Sequence, residues 1–214
     1  MVKTAVLVSG GGTNLQAIID AHIFGEIKNC ELSAVISSNP EAYAIKRAQY
    51  AGIPVYIVDR TIFPNVVSFT KALLEKLQDL EIELVVCAGF MYILGPQLIK
   101  MYENRMINIH PSLIPSFCGP DCYGLRVHEA VLAYGAKVTG ATAHFVTEGV
   151  DEGPIILQKV VPVFEDDTPN TLQRRVMESA EWKILPEAIS LFCERRLEIN
   201  GRIVRILGVD NSAT

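Results

Sequence analysis

Thr4-Ala5-Val6-Leu7-Val8-Ser9-Gly10-Gly11-Gly12-Thr13-Asn14-Leu15-Gln16-Ala17-Ile18-Ile19 is the stretch whose reading decides the fold of this 214-residue chain. Thr4 to Val8 is a nearly continuous apolar run, the pattern of a central parallel strand covered on both faces. Leu15 to Ile19 opens a helix, with Thr13 or Asn14 available as its cap. Between them, three glycines let backbone N–H groups approach a ligand closely, and the helix start adds positive potential, which together make a phosphate cradle. Leu15 stands where a dinucleotide fingerprint has its third glycine, and no Gly-Lys-Ser/Thr follows. A single phosphate monoester therefore fits better than a dinucleotide. The alternative for the loop alone, and the weaker one, is a tight strand-to-helix turn.

The pattern repeats outward from this unit. Leu32–Ile36, Val55–Val58 and Leu84–Ala88 read as further strands, and Glu41–Ala51 and Val66–Leu80 as helices. The second helix is clearly amphipathic, with Phe69, Leu73, Leu77 and Leu80 on one side. This alternation is the signature of a doubly wound, mostly parallel α/β sheet. The loop Gly89–Pro96 is apolar, with backbone groups free to read a flat heterocycle, or to serve as an ordinary core loop. In Met106-Ile107-Asn108-Ile109-His110, Asn108 and His110 share one face of a short buried strand that Pro111 ends. An amide donor beside a group that titrates near neutrality can stabilise an oxyanion and move a proton. An isolated Asn-x-His also reads as a capped strand end. Beyond it, Val127–Tyr134 suits a helix. Thr139–Val146 and Ile155–Val163 are β-rich, with no helix-sized gap between them, and suggest antiparallel additions. Thr168–Phe192 is a long helical pattern, bent near Pro186.

The composition narrows the function classes. Half of the residues are hydrophobic, enough for a large core, and the formal charge is −5, with no basic cluster to suit nucleic acid or an anionic membrane. Five scattered cysteines, no secretory signal and no bilayer-length apolar run point to a reducing cytoplasmic compartment. Cys87 reads as a small buried hydrophobe. Cys118 and Cys122 lack a second ligand pair at metal spacing, and no metal site is expected. With no repeat or linker, residues 1–207 count as one domain and Gly208–Thr214 as a polar, frayed tail.

Five segments in order resemble the folate-dependent formyltransferase family. They are Ser9-Gly10-Gly11-Gly12-Thr13-Asn14-Leu15-Gln16, Ala88-Gly89-Phe90-Met91-Tyr92-Ile93-Leu94, the run from Asn108 to Phe117, the run from Val138 to Val146, and the run from Val150 to Gln158. The resemblance implies a Rossmann-like formyltransferase fold with a mononucleotide-binding half at 1–103 and a catalytic and folate half at 104–207. It implies 10-formyltetrahydrofolate as co-substrate and the amine of glycinamide ribonucleotide as acceptor, in purine synthesis, by a monomer or homodimer. It assigns Asn108, His110 and Asp151 to catalysis. Asn108 and His110 would hold the oxyanion of a tetrahedral intermediate, and His110 would help protonate the departing folate nitrogen. Asp151 would pair with the charged imidazole and position a water, with no metal or covalent intermediate. Gly12, Thr13, Asn14 and Glu181 would bind the ribonucleotide. Met91, Tyr92, Ile93 and Leu94, with Asn108 and the loop Glu148, Gly149, Val150 and Asp151, would line the folate pocket.

The chain departs from the family where arginines are usual, at Tyr92 and Val66. Trp182 follows Glu181 where histidine is usual, and Phe117–Tyr123 is longer than the common Phe-x-Gly stretch. These departures bear on folate affinity. His144 reads as structural support and His128 as a surface residue on a helix beside Glu129, while Trp182 reads as a packing residue. Relatives acting on methionyl-tRNA carry a further domain, for which this chain ends too early, and formyltetrahydrofolate hydrolases carry a regulatory domain ahead of the first strand. Sugar-nucleotide formyltransferases share the Asn-x-His core but suit the Gly-rich loop less well. A nucleotide-binding regulatory module would use Gly10–Asn14 without the trio.

Overall fold

The computed structural model describes residues 1–208, so the expectation of a frayed tail lies, from residue 209 on, outside the described residues. β1 (Val2–Val8) is central, with β2 (Cys30–Ser37) on one side and β4 (Leu84–Cys87) on the other, and β3 (Val55–Ile57) beyond β2. β5 (Met106–His110) continues the parallel run next to β4. β6 (Val138–Phe145) and β7 (Ile155–Pro162) then pair antiparallel, completing a seven-stranded sheet in the order β3-β2-β1-β4-β5-β6-β7. The doubly wound, mostly parallel sheet and its antiparallel additions are as the sequence pattern implies.

Strand alternation divides the core between the two sheet faces. Val6, Val8, Val35, Val86, Ile107 and Ile109 pack with Leu15 and Ile18 of α1 (Thr13–Ile23) and with Leu185 and Ile189 of α7 (Trp182–Cys193). Ala5, Leu7, Ile36, Val85 and Met106 pack instead with Phe69, Leu73 and Leu77 of α3 (Val66–Asp79) and with Leu98 of α4 (Pro96–Met101). Asn108 and His110 follow Met106 along this second face. Here the helices give out and the side chains reach a cavity.

Four local expectations are corrected. Neither Thr13 nor Asn14 caps α1: its N-cap is Gly12, at φ 72°, and no side chain bonds the first turn. A Cβ at Gly12 would stand 2.7 Å from Ala44 Cβ, so glycine is required by both torsion and packing. The second helix begins later than Glu41, as α2 (Ala44–Tyr50). The long C-terminal helix runs through Pro186. It is divided by a π turn (Met177–Glu181) between α6 (Pro169–Val176) and α7. His128 of α5 (Leu125–Tyr134) is no surface residue: it is fully buried, because α5 turns Val127, His128 and Val131 inward. Helix α4 and a small hairpin of β8 (Leu197–Asn200) and β9 (Ile203–Ile206) were not anticipated from the sequence.

Candidate active site

The chain winds from β1 out to β3 and returns to β4 on the other side of β1, so the loops after β1 and β4 face each other across a topological switch point. They are tied directly, since Met91 N–H donates to Ser9 Oγ at 3.0 Å and Ser9 Oγ lies 2.7 Å from Ser38 Oγ. Beside this junction opens a cavity of about 580 Å³. Met91, Tyr92, Ile93 and Leu94 line it, as do Glu148, Gly149, Val150 and Asp151, together with Asn108, His110, Asn14 and Glu181. Gly12 and Thr13 do not line it but sit at its end, at the start of α1.

The sheet reverses direction between β5 and β6, which sets His144 directly opposite Asn108 and Thr142 opposite His110. Opposed residues share a face, so the amide and both imidazoles are neighbours. The segment from Val146 to Pro154 folds back over this face and carries Asp151 to them. Gly153 permits the fold-back, because a Cβ there would run into the Phe145 carbonyl oxygen. Asp151 Oδ2 lies 3.3 Å from His110 Nδ1 and accepts from Gly119 N–H at 3.1 Å, and Asp151 Oδ1 is 3.7 Å from His144 Nε2. Two stretches distant in sequence, 108–119 and 144–151, thus meet at one point.

Hydrogen-bond partners assign the protons. His144 Nδ1 is 2.8 Å from the Phe145 carbonyl, which can only accept, so this nitrogen carries hydrogen. Burial lowers the His144 pKa and holds the ring neutral, leaving Nε2 as an acceptor for Asn108 Nδ2 at 3.1 Å. His144 therefore fixes which way the Asn108 amide points, with its second N–H to spare. His110 Nε2 donates in the same manner to the Phe117 carbonyl at 2.9 Å. Phe117 holds a left-handed backbone at φ 51° and its ring packs edge-on against Tyr134, so the carbonyl is locked in place.

At the other end, Asn14 Nδ2 donates to Glu181 Oε2 at 2.7 Å, while Asn14 Oδ1 is buried without a partner among the described residues. Burial raises the Glu181 pKa to about 7, with the Asn14 bond opposing it. Gln173, Met177 and Glu181 all line the cavity at spacings of four. The π turn runs from Met177 to Glu181, the last two positions of this row. His128 also lines the cavity wall; among the described residues both its nitrogens lack partners, and burial lowers its pKa to about 4.

Of the departing positions, Val66 opens α3 and Tyr92 stands at the cavity rim, partly exposed. The Arg60 guanidinium lies 5.9 Å from the Tyr92 ring and 5.7 Å from the Phe69 ring, and Nη1 donates to the Phe63 carbonyl at 3.0 Å. Sequence reasoning missed Arg60, as it missed the Phe117 carbonyl and the Gly119 N–H. Backbone groups carry no signal in a sequence, and an arginine in a loop carries little. Trp182 is half-buried, with its indole nitrogen buried and unpaired among the described residues.

Residues 2–189 match the family described as formyl transferase. A glycinamide ribonucleotide transformylase 1 structure from Symbiobacterium toebii superimposes with a TM-score of 0.90 at 46% identity, covering 97% of this chain and 94% of that one. The phosphoribosylglycinamide formyltransferase of Haemophilus influenzae is 38% identical over 97% of this chain and 95% of its own length. The trifunctional purine biosynthetic protein adenosine-3 of Bos taurus is 43% identical over 94% of this chain, which spans only 19% of that larger protein.

Proposed function

This chain belongs to the formyl transferase family, and from that premise we propose that it transfers the formyl group of 10-formyltetrahydrofolate to the amine of glycinamide ribonucleotide, a step of purine synthesis. The observation that carries the reading is the meeting of Asn108, His110 and Asp151 in one cavity, with the His110–Asp151 pair at 3.3 Å. Residues 1–207 act as one domain, supported by β5–β7 continuing the sheet that β1–β4 begin. A reducing, cytoplasmic setting is supported by five free cysteines and by the lack, among the described residues, of a helix long and apolar enough to cross a membrane.

The ribonucleotide phosphate rests on the N–H groups of Gly12, Thr13 and Asn14, where α1 has no side-chain cap. Glu181 holds the ribose side through its carboxyl. The folate's flat ring lies along Met91–Leu94 and Glu148–Asp151, and its glutamate carboxylates extend to the rim, where Arg60 supplies the charge that Tyr92 and Val66 do not. The amine then attacks the formyl carbon, and negative charge develops on the formyl oxygen. The spare N–H of Asn108 donates to it. So does His110 Nε2–H, with the formyl oxygen replacing the Phe117 carbonyl as its acceptor. As the intermediate collapses, the former amine nitrogen gives up a proton to Asp151 through water, and His110 protonates the leaving folate nitrogen. Holding both reactants in one cavity supplies much of the remaining acceleration.

The test follows loss of 10-formyltetrahydrofolate with and without glycinamide ribonucleotide. Turnover that requires both is expected, and His110→Ala and Asp151→Asn each lower kcat by about a hundredfold or more while still binding both ligands. Near-wild-type turnover in both variants would remove the catalytic assignment. Loss of formyl-folate without the ribonucleotide would remove the transferase reading.

A further inference from the structure

We propose that Arg47 is a positioning residue for ribonucleotide binding: its guanidinium holds the Gly-rich loop in the one orientation that turns its amides to the phosphate. The proposal rests on the reading above that the phosphate sits at the start of α1.

The geometry of two peptide planes carries the argument. Ala44 N–H, in the first turn of α2, donates to the Gly10 carbonyl at 3.1 Å. Arg47 Nε, one turn further along α2, donates to the Gly11 carbonyl at 2.9 Å. In a trans peptide the C=O and the following N–H point in opposite directions. Drawing the Gly10 and Gly11 carbonyls onto α2 therefore turns the Gly11 and Gly12 N–H groups away from it, to the open side of the loop. Neither N–H has an acceptor among the described residues. A Cβ at Gly10 or Gly11 would meet nothing within 4 Å among the described residues, so no neighbour crowds these two α-carbons. Glycine peptides so free of contacts flip readily, and a flip would present a carbonyl to an anion. The Gly10 carbonyl is held by backbone alone, whereas the Gly11 carbonyl depends on a side chain.

Arg47 is itself fixed. Nη1 donates to Gln16 Oε1 at 3.0 Å, and the guanidinium lies 5.1 Å from the Tyr43 ring centroid. These contacts, with the Gly11 carbonyl, come from neutral groups, so the positive charge remains available beside the cradle. Arg47 thus does two things: it sets the amide dipoles and adds long-range attraction for a dianion. Lysine can supply only the second, since an ammonium cannot span Gly11 and Gln16 as the planar fork does.

The experiment uses the full chain and compares Arg47→Gln, Arg47→Lys and Gln16→Ala. Inorganic phosphate serves as a competitive probe, and a glycinamide nucleoside without the phosphate as the control substrate. Loss of the charge-assisted bond in Arg47→Gln should raise KM for the ribonucleotide and Ki for phosphate in parallel by about tenfold, with kcat and the folate KM within about twofold of wild type. Arg47→Lys should recover part of this, and Gln16→Ala, which loosens only one tether, should shift both constants less and in the same direction. The nucleoside should be used equally well by wild type and all variants, which a merely unfolded or distorted loop would not allow. An unchanged phosphate Ki in Arg47→Gln, or equal losses with nucleoside and nucleotide, overturns the proposal. Wild-type protein that is insensitive to phosphate and inactive on the ribonucleotide overturns the underlying functional reading instead.

Discussion

Arg60 is the side chain that supplies charge at the cavity rim in the folate reading proposed above. It belongs to a short 3-10 turn, Arg60–Ile62, and reaches the rim of the cavity by stacking on Phe69 and Tyr92. A guanidinium held over two rings has lost much of its conformational freedom before any carboxylate arrives. Arg60→Ala is therefore expected to raise the KM for 10-formyltetrahydrofolate about five- to tenfold, the worth of one partly exposed charge contact. KM for a pteroate analogue lacking the glutamate should stay unchanged, as steady-state kinetics with the two donors will reveal. The closeness of Asn108, His110 and Asp151 was legible in the sequence, because period-two spacing alone puts Asn108 and His110 on one face and the motif order points to Asp151. His128 was not. Its charged neighbours Arg126 and Glu129 suggest a solvated helix, yet which face of α5 is buried depends on what packs against it, and Val127, His128 and Val131 turn inward.

The loop that delivers Asp151 is an element whose shape hangs on one glycine. Adding a methyl group at Gly153 sets a Cβ against the Phe145 carbonyl, and backbone on both sides must move. In Gly153→Ala the Asp151 carboxylate leaves the position 3.3 Å from His110, so kcat should fall about a hundredfold. Stability should fall by about 1–3 kcal/mol, as for other overpacked sites. Parallel assays of activity and urea unfolding check this, and wild-type kcat in a folded variant would contradict it. The strands of the main sheet were legible as short apolar or β-rich runs between turn residues, and the main helices by apolar positions recurring at helical spacing. The π turn was not, since it changes the phase of the helix by a single residue and leaves the apolar pattern on either side intact. The β8–β9 hairpin was equally hidden, its strands being four residues each, with half-buried and exposed positions alternating and none fully buried.

At the scale of the whole molecule, two buried groups oppose each other in the pH dependence of folding. His128 titrates at about 4 in the folded protein against 6.5 ordinarily, so the unfolded chain binds its proton first. Its contribution to stability is full above pH 6.5 and is lost as pH falls towards 4. Glu181 titrates at about 7 against 4.5, so the folded state keeps its proton longer. Its contribution is full below pH 4.5 and is lost as pH rises through 7. Shifts of this size are each worth roughly 3 kcal/mol, and between pH 4.5 and 6.5 they largely cancel. Thermal unfolding across that window should lose stability with rising pH in His128→Phe, and gain it in Glu181→Gln, relative to wild type. Identical slopes in all three proteins would rule out these buried titrations. The doubly wound sheet itself was legible from the strand–helix alternation. How far the fold buries each ionisable group was not, because burial is a property of the assembled layers and not of any one segment.

The reversal of sheet direction after β5 also bears on when the protein becomes competent. A polypeptide emerging from the ribosome first presents β1 and the Gly-rich loop, and soon afterwards the row that ends in His110. The acid that partners this imidazole arrives only with the returning strands, and Glu181 later still, in the helical segment that closes against the first helix. The His110–Asp151 pair is therefore assembled only once the strands after the reversal have joined the sheet.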